Sequence, residues 1–261
     1  MATLTQRFAN PTRFMALSGR LLSWISVAAA LTIAWGLVLA FKVPPDYQQG
    51  HTVKIMFIHV PCAWLASMVY AVIALSSAGL LVFRHPLAEV SAKAAAPIGA
   101  AFTLLALVTG ALWGKPTWGP YWVWDARLTS VLILLFLYLG LIALRSSIDD
   151  EALAGKLTAV LALVGIVLLP VIKFSVDWWW TLHQSSTRLT GTLDPVFRTP
   201  LWVMALGFLL LFVALHLKAM RNELQRRRLK SLTLLAVERS AGAPAPDFAA
   251  KATQPNAGNM P

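Results

Sequence analysis

The chain alternates six long apolar segments with shorter stretches that carry most of its charged residues. The apolar segments cover approximately residues 21–41, 54–83, 94–112, 128–144, 157–176 and 201–217. Most of them approach the roughly 20 residues that a helix needs to cross a bilayer. Because a spanning segment must satisfy its own backbone hydrogen bonds, each one is predicted to be a helix. The pattern therefore predicts an all-α, polytopic membrane protein whose six-helix transmembrane domain covers residues 21–217.

Composition supports this fold class. Of the 261 residues, 58% are hydrophobic and 13% are charged, whereas a soluble domain is about 45–50% apolar and about 25% charged. The formal net charge is +11, but the basic residues concentrate at the ends of the apolar segments and in the C-terminal tail. This distribution favours contact with anionic lipid and excludes nucleic acid as the expected partner.

The lysine and arginine residues also predict the orientation of the spans. With the N-terminus inside, the cytoplasmic ends hold the larger share of these residues, above all in the cluster at 226–230. We therefore predict a cytoplasmic N-terminus (residues 1–20) and a basic, partly disordered cytoplasmic tail (residues 218–261). Disorder is expected after Arg239, where the chain is rich in Ala, Gly and Pro.

With six crossings, the connections after the first, third and fifth spans lie together on the outer face. Two of these connections are dense in tryptophan, and seven of the chain's 11 tryptophans fall in them: Trp113, Trp118, Trp122 and Trp124 in one, Trp178, Trp179 and Trp180 in the other. An interfacial belt needs only one or two tryptophans per span. Clusters of this density favour a flat aromatic surface for a flat, apolar guest.

The second apolar segment is longer than a membrane requires. Residues 54–83 would form about 45 Å of helix, which exceeds the hydrocarbon thickness of about 30 Å. The first turns of this helix are therefore predicted to rise above the outer surface with His59, and Pro61 is predicted to kink them.

Two histidines, His59 and His183, are predicted at similar depth on the tryptophan-rich face. Either one alone would more often be an ordinary interfacial histidine than a ligand, and His85 and His216 at inner span ends need no further explanation. Two histidines without a carboxylate or thiol cluster make a poor zinc site. Haem needs one or two axial ligands and an apolar aromatic surround, which this set can supply. Outer-face cations are candidates for its propionates, although snorkelling to the surface explains each equally well: Lys54, Lys115, Arg127 and Arg188.

Asp125 admits two interpretations at the start of the fourth span. It is a suitable N-cap for that helix, or it orders the tryptophan-rich loop or engages a partner. The segment Gly155-Lys156-Leu-Thr158 faintly echoes a phosphate-binding loop but lacks the upstream glycine and follows a helix, so an ATPase is rejected. No nucleophile–base pair is evident, and no enzymatic activity is predicted.

Residues 113–130, WGKPTWGPYWVWDARLTS, resemble the tryptophan-rich "WWD" signature of the haem-handling WWD-domain family, and in particular its members in cytochrome c maturation. The resemblance extends to residues 46–50, 58–61, 178–179 and 181–185, and covers nearly all of residues 20–220. The segment 113–128 is highly specific for this family, whereas the additional Trp180 and the long tail depart from its pattern.

The resemblance implies a multi-pass protein of the bacterial inner membrane that holds haem b at its periplasmic face. The two axial histidines of the family fall on His59 and His183. The WWD segment, which lies along the haem, and the second tryptophan cluster supply the other expected contacts: Trp113, Trp118, Trp122, Trp124, Asp125, Arg127, Trp178 and Trp179.

The resemblance also implies partners. Such proteins present haem to a membrane-anchored periplasmic haem chaperone, which binds it covalently for c-type cytochrome biogenesis. They work beside an ABC-type ATPase and permease pair and a small membrane subunit. Here the loops at 46–51 and 113–127 are expected to dock the chaperone.

Two other functions remain open from the sequence. A haem b subunit that exchanges electrons with quinone would need histidines facing each other inside the bundle, usually with a second haem. A transporter that conducts haem through the bilayer would place polar residues or broken helices near the midplane, where these spans are nearly free of charge.

Overall fold

The computed structural model describes residues 10–183 and 193–242, with side chains described up to residue 239. In this part of the chain six stretches are helical, long and apolar enough to cross a membrane, which confirms the predicted number of spans. They are Pro11–Lys42, His51–Phe83, Pro86–Trp118, Ala126–Ser146, Glu151–Trp178 and Pro195–Arg239.

The helices that build these spans follow one another with short connections. In chain order they are α1 (Pro11–Lys42), a 3₁₀ helix (His51–Ile55), α2 (Met56–Phe83), α3 (Pro86–Trp118), α4 (Ala126–Ser146), α5 (Glu151–Gly165), α6 (Leu168–Trp178) and α7 (Pro195–Gly242).

The chain divides into two compact units, Met1–Glu223 and Leu224–Pro261. The first contains five spans and residues 195–223 of the sixth. The second is described from residue 224 to residue 242, and this part is helical with exposed leucines such as Leu229 and Leu232. The predicted disorder after Arg239 falls, from residue 243 onwards, outside the described residues.

Asparagine and aspartate side chains cap the N-termini of several helices. The Oδ1 atom of Asn10 accepts the backbone N–H of Thr12 at 2.9 Å at the start of α1. Asp150 accepts the N–H of Ala152 at 2.8 Å at the start of α5. Each interaction satisfies a backbone donor that the first helical turn leaves without a partner.

The centre of the bundle is closed by two buried tyrosines. The rings of Tyr70 on α2 and Tyr138 on α4 meet edge to face with centroids 5.3 Å apart. The hydroxyl of Tyr138 donates to the carbonyl of Ala66 at 2.7 Å. Both rings fit because Gly99 and Gly165 face them: a Cβ atom on Gly99 would lie 2.2 Å from Cε1 of Tyr138. Small residues of this kind allow membrane helices to pack closely.

Proline has different effects in different helices. The fifth span breaks between α5 and α6, close to Pro170. Because Pro170 has no N–H to offer the carbonyl of Ile166, that carbonyl accepts from Leu169 at 3.0 Å instead. Pro61, at which the sequence predicts a kink, lies inside the uninterrupted helix α2, and Pro97 lies inside the uninterrupted helix α3.

The third span is longer than predicted. The hydrophobic pattern ends it at residue 112 and assigns Trp113–Arg127 to a loop, but α3 continues to Trp118. The loop prediction is therefore wrong for the first part of this segment. Pro116 removes one hydrogen bond from the last turn without ending it, and the helix stops at Gly119, whose φ of 93° disfavours other residues.

Candidate functional site

A cavity of about 600 Å³ opens at the tryptophan-rich end of the bundle, between α2, α3, α4 and α6. This volume lies within the range of small-molecule and cofactor sites. Most of the wall is apolar, and a few polar side chains converge on it. We call it the His/Trp cavity after the residues that give it chemical character: His59, Trp113, Trp118, Trp122, Arg127, Lys173 and His183.

His59 stands in the first turn and a half of α2 and is held in a defined orientation. Its Nδ1 lies 3.0 Å from the carbonyl of Ala106 and 3.2 Å from Oγ1 of Thr109, both on α3. A carbonyl oxygen can only accept, so Nδ1 carries the proton and Nε2 is the nitrogen with a lone pair for a metal. This arrangement, an imidazole oriented by a backbone carbonyl, is typical of metal-ligating histidines.

The approach of His59 to α3 depends on Gly110. A Cβ atom at this position would lie 2.9 Å from Cε1 of the imidazole. The ring also meets Trp113 in an edge-to-face contact, with centroids 5.6 Å apart. Residues of α3 therefore contact the His59 ring both through hydrogen bonds at Nδ1 and through the ring of Trp113.

His183 reaches the same cavity from the segment that follows α6. Its backbone N–H donates to Oγ1 of Thr181 at 3.1 Å, and its ring centroid lies 6.0 Å from that of Trp118. The structure thus brings together the two histidines that the sequence singles out, from positions far apart in the chain. The next residues, 184–192, lie outside the described residues, and they include the predicted propionate partner Arg188.

Three tryptophans of the first cluster line the cavity. Trp113 donates its Nε1–H to Oε1 of Gln49 at 2.7 Å, which ties the end of α3 to the connection after α1. Trp118 lies beside His183. The Nε1–H of Trp122 is buried and has no hydrogen-bond partner among the described residues, so a guest with an acceptor group would satisfy it.

The other predicted tryptophans lie outside the cavity. Trp124 meets Trp122 at 5.4 Å but is 75% exposed. Trp178 and Trp179 are more than half exposed, and Trp178 stacks on Phe174, which does line the cavity. These indoles extend the aromatic surface outwards from the mouth.

Asp125 begins α4 and also contacts the segment that carries His183. It is the N-cap of α4, and its Oδ1 accepts the N–H of Leu128 at 2.7 Å. Its Oδ2 accepts the hydroxyl of Thr181, which connects the WWD segment to the segment that carries His183. Asp125 is only 5% exposed, so both of these hydrogen bonds are shielded from solvent.

The cations of this end differ in what they contact. Arg127 lines the cavity and donates to Oγ of Ser175 at 3.2 Å and to the carbonyl of Ile172 at 3.3 Å. Lys54 donates to the carbonyl of Phe41, and the ammonium of Lys115 lies 4.9 Å above the ring of Tyr121. Neither lysine lines the cavity.

Lys173 is a cavity cation that the sequence interpretation overlooked as a candidate. The span prediction places it near the end of the fifth segment, but nothing in the local pattern shows which way it points. The same holds for Gln49, Thr109 and Gly110, whose roles depend on contacts between helices.

The connection after α1 is built as a tight turn. Oδ1 of Asp46 accepts the N–H groups of Gln48 and Gln49 at 2.9 Å each, and Asp46 and Gly50 exchange backbone hydrogen bonds. Gly50 has φ 57° and ψ −138°, a conformation that favours glycine. Gln49 is thereby placed against Trp113, whereas Tyr47 at the tip is almost fully exposed.

The pairing of Asp125 with Thr181 makes a testable prediction. Asp125→Ala removes an N-cap, which costs about 1 kcal/mol, and leaves the Thr181 hydroxyl without its acceptor, for a total of about 2 to 4 kcal/mol. Asp150→Ala is the matched control, since Asp150 caps α5 through backbone groups, and it should cost about 1 kcal/mol. Thermal unfolding of the purified proteins measures both. Equal losses for the two variants would show that the Asp125–Thr181 contact contributes nothing.

Metal binding by protein groups alone is not supported. Among residues 10–183 and 193–242 no three His, Cys, Asp or Glu side chains come together in a metal-binding group. A metal held by His59 and His183 would need its remaining ligands from the guest.

Comparisons with known proteins give consistent results. The family model described as Heme exporter protein C matches residues 4–235. A protein of that name from Bradyrhizobium diazoefficiens is 60% identical over 236 residues, which cover 89% of this chain and 90% of the relative. The Escherichia coli K12 protein of the same name is 46% identical, covering 83% and 89%. The one from Paracoccus denitrificans is 44% identical, covering 86% and 95%.

Proposed function

This chain belongs to the Heme exporter protein C family, and on that premise we propose that it binds haem b through His59 and His183 and delivers it to a periplasmic haem chaperone. At the coarser level, it is a multi-pass bacterial membrane protein of a haem export complex with a role in cytochrome c maturation. The observation that carries the finer proposal is the convergence of both histidines and three indoles on one cavity.

The residues present fit an iron porphyrin. His59 offers Nε2, because its Nδ1 is engaged by Ala106, and His183 enters from a different element. A porphyrin supplies four further nitrogen ligands to the iron, which resolves the lack of a third protein ligand. Arg127, Lys173 and the Nε1–H of Trp122 provide donors for the propionates.

The protein's own groups would bind and orient the guest without turnover. The tryptophans of the cavity present flat apolar faces, and Trp124, Trp178 and Trp179 extend that surface outwards. An exposed aromatic rim allows a second protein to approach the guest. Weak binding of haem at an exposed surface is suited to its transfer to another protein. We assign no catalytic activity to the chain.

The closed centre of the bundle argues against a conduit through the membrane. Tyr70 and Tyr138 are 0% exposed and interlock between the His/Trp cavity and the opposite end of the bundle. A haem passing along this axis would have to displace both rings and the backbone around Gly99 and Gly165.

The quinone-linked alternative also lacks support in the described residues. A second haem would need another pair of facing histidines inside the bundle. His216 forms a hydrogen bond between its Nε2 and Oγ of Ser91, at 3.2 Å. Its ring stacks on that of Phe212, with centroids 5.4 Å apart. Its contacts therefore join α7 to α3.

The orientation and partners are proposed on the same basis. The lysine and arginine distribution supports cytoplasmic termini and a periplasmic His/Trp cavity. The expected partners are the haem chaperone at the exposed rim, with the ABC-type ATPase and permease and the small membrane subunit within the same complex.

Three measurements test this proposal together. The purified full chain should show the absorption spectrum of low-spin haem with two histidine ligands, and should lose that haem to the soluble domain of the chaperone on mixing. A reporter active only outside the cytoplasm, fused after Pro120, should be active. A silent reporter at this position, or a purified protein that takes up no haem, would contradict the proposal.

A further inference from the structure

A second cavity, of about 380 Å³, lies at the opposite end of the first unit, between α2, α3, α4 and α5. It lies near the C-terminal ends of α2 and α4 and the N-terminal ends of α3 and α5. The Tyr70–Tyr138 pair lies on the side of the cavity that faces the centre of the bundle. We call it the Glu89/Arg145 cavity. None of its lining residues belongs to the His/Trp cavity.

The wall of this cavity is chiefly aliphatic. Ile73 and Leu80 come from α2, Ala96 from α3, and Leu141 and Ile142 from α4. Ile142 is 36% exposed, so the cavity is bordered by a surface that faces outwards from the bundle. Such a wall suits a hydrocarbon chain entering from the bilayer.

Charged side chains also line the cavity, and they lie near the ends of membrane-spanning helices. Arg145 pairs with Glu89, and both side chains are 12% exposed. Lys93 pairs with Glu223 at 2.7 Å. A guanidinium has five N–H donors and an ammonium has three, so one carboxylate contact leaves capacity for a further acceptor on each cation.

A buried hydroxyl marks the same place. Ser77 is 1% exposed, lines the cavity, and its Oγ has no hydrogen-bond partner among the described residues. Leaving such a donor unsatisfied costs about 1–3 kcal/mol, so an acceptor on a guest would recover this free energy. The other hydroxyls of the wall are already bonded: Thr158 donates to the carbonyl of Ala154 at 2.7 Å, and Ser146 donates to the carbonyl of Ala143 at 2.9 Å.

We propose that the Glu89/Arg145 cavity binds a glycerophospholipid, with its phosphate accepting from Arg145, Lys93 and Ser77 and part of an acyl chain among the aliphatic residues. A phosphodiester is the lipid group that offers several acceptor oxygens to clustered cations. On the orientation proposed above, this end of the bundle faces the cytoplasmic leaflet, where pockets with basic residues between spans take phospholipid headgroups. The site is independent of haem binding, so it stands or falls separately from the proposed function.

Native mass spectrometry of the purified full chain tests this. Phosphatidylglycerol should bind at a single tight site, and diacylglycerol with the same chains should bind at least about tenfold more weakly because it lacks the phosphate. Binding of diacylglycerol as tight as that of phosphatidylglycerol would overturn the proposal. So would full displacement of the lipid by millimolar inorganic phosphate, since the site would then take a free anion.

Variants locate the site. Ser77→Leu fills the cavity and removes the hydroxyl, and should weaken phosphatidylglycerol binding by about tenfold or more. Ser67→Leu is the matched control, because it makes the same change on α2 but in the His/Trp cavity, and it should leave lipid binding unchanged.

A second variant tests the site in case Ser77→Leu does not fold. If Ser77→Leu does not elute as a single species, the double variant Lys93→Gln with Glu223→Gln removes the cation without leaving its partner charged, and should show the same loss. Unchanged lipid binding in a folded variant of either kind, or an equal loss in Ser67→Leu, refutes the assignment.

Discussion

Replacing His59 with alanine is expected to lower the haem retained by the purified protein by more than about tenfold. Changes that only reorient a metal ligand typically cost 10–100-fold in affinity, and removal of the ligand should cost at least as much. His183→Ala should have the same effect, because both imidazoles line the same cavity. The haem-to-protein ratio from absorption at the Soret band measures both losses.

His51→Ala is the matched control for these variants. His51 also lies at the tryptophan-rich end, on the 3₁₀ helix before α2, but it is exposed and does not line the cavity. Its haem content should equal that of the unmodified protein. Normal haem in both His59→Ala and His183→Ala would remove the ligand assignment, and an equal loss in His51→Ala would show that the effect is not specific to the cavity.

Gly110→Ala tests the position of His59 without removing a ligand. The added methyl group would come within 2.9 Å of the imidazole, so the ring must turn away from the carbonyl of Ala106. The retained haem should fall, and the absorption spectrum of what remains should indicate altered ligation. An unchanged spectrum would mean that the orientation given by Ala106 and Thr109 does not matter for binding.

The spans can be predicted from the sequence because the signal for each one lies within its own residues. Length and hydrophobicity alone are enough to recognise a helix that crosses a bilayer, since the backbone must be satisfied within the segment. The same reasoning fails at the end of α3. Trp113 and Trp118 are compatible with either a helical turn or a loop, and Pro116 favours the loop, so contacts such as Trp113–Gln49 decide the outcome.

The candidate site was predictable to the extent that topology brings distant residues to one end. The count of crossings is enough to place His59, His183 and both tryptophan clusters on the same face. It does not show which indoles face inwards, and the structure separates Trp122, which lines the cavity, from Trp124, which is exposed. Side-chain direction near a helix end depends on packing between elements, which one sequence does not reveal.

The Glu89/Arg145 cavity could not have been predicted for a related reason. Its residues come from four helices, and each one alone has an ordinary explanation at the end of a span. Ser77 in particular reads as a small residue suited to helix packing. Only the structure shows that its hydroxyl is buried and has no hydrogen-bond partner in the part of the chain that is described.

Gly99→Ala should destabilise the bundle strongly. The new Cβ atom would lie 2.2 Å from Cε1 and 2.3 Å from Cζ of Tyr138. That ring cannot easily give way, because it is fully buried, packs on Tyr70 and is fixed by its hydrogen bond to Ala66. Overpacking in a close-packed interior costs about 1–3 kcal/mol or more, so a marked fall in the thermal unfolding midpoint is expected.

Gly140→Ala provides the comparison. Gly140 lies inside α4, only two residues after Tyr138, and a Cβ atom there would meet nothing within 4 Å. Since alanine favours a helix by about 1 kcal/mol over glycine, this variant should be as stable as the unmodified protein or slightly more stable. Combining Gly99→Ala with Tyr138→Leu should recover part of the lost stability, because it withdraws the ring that the methyl group strikes. If Gly99→Ala instead unfolds at the same temperature as Gly140→Ala, the two tyrosines do not form a rigid barrier, and the argument against passage through the bundle loses its structural basis.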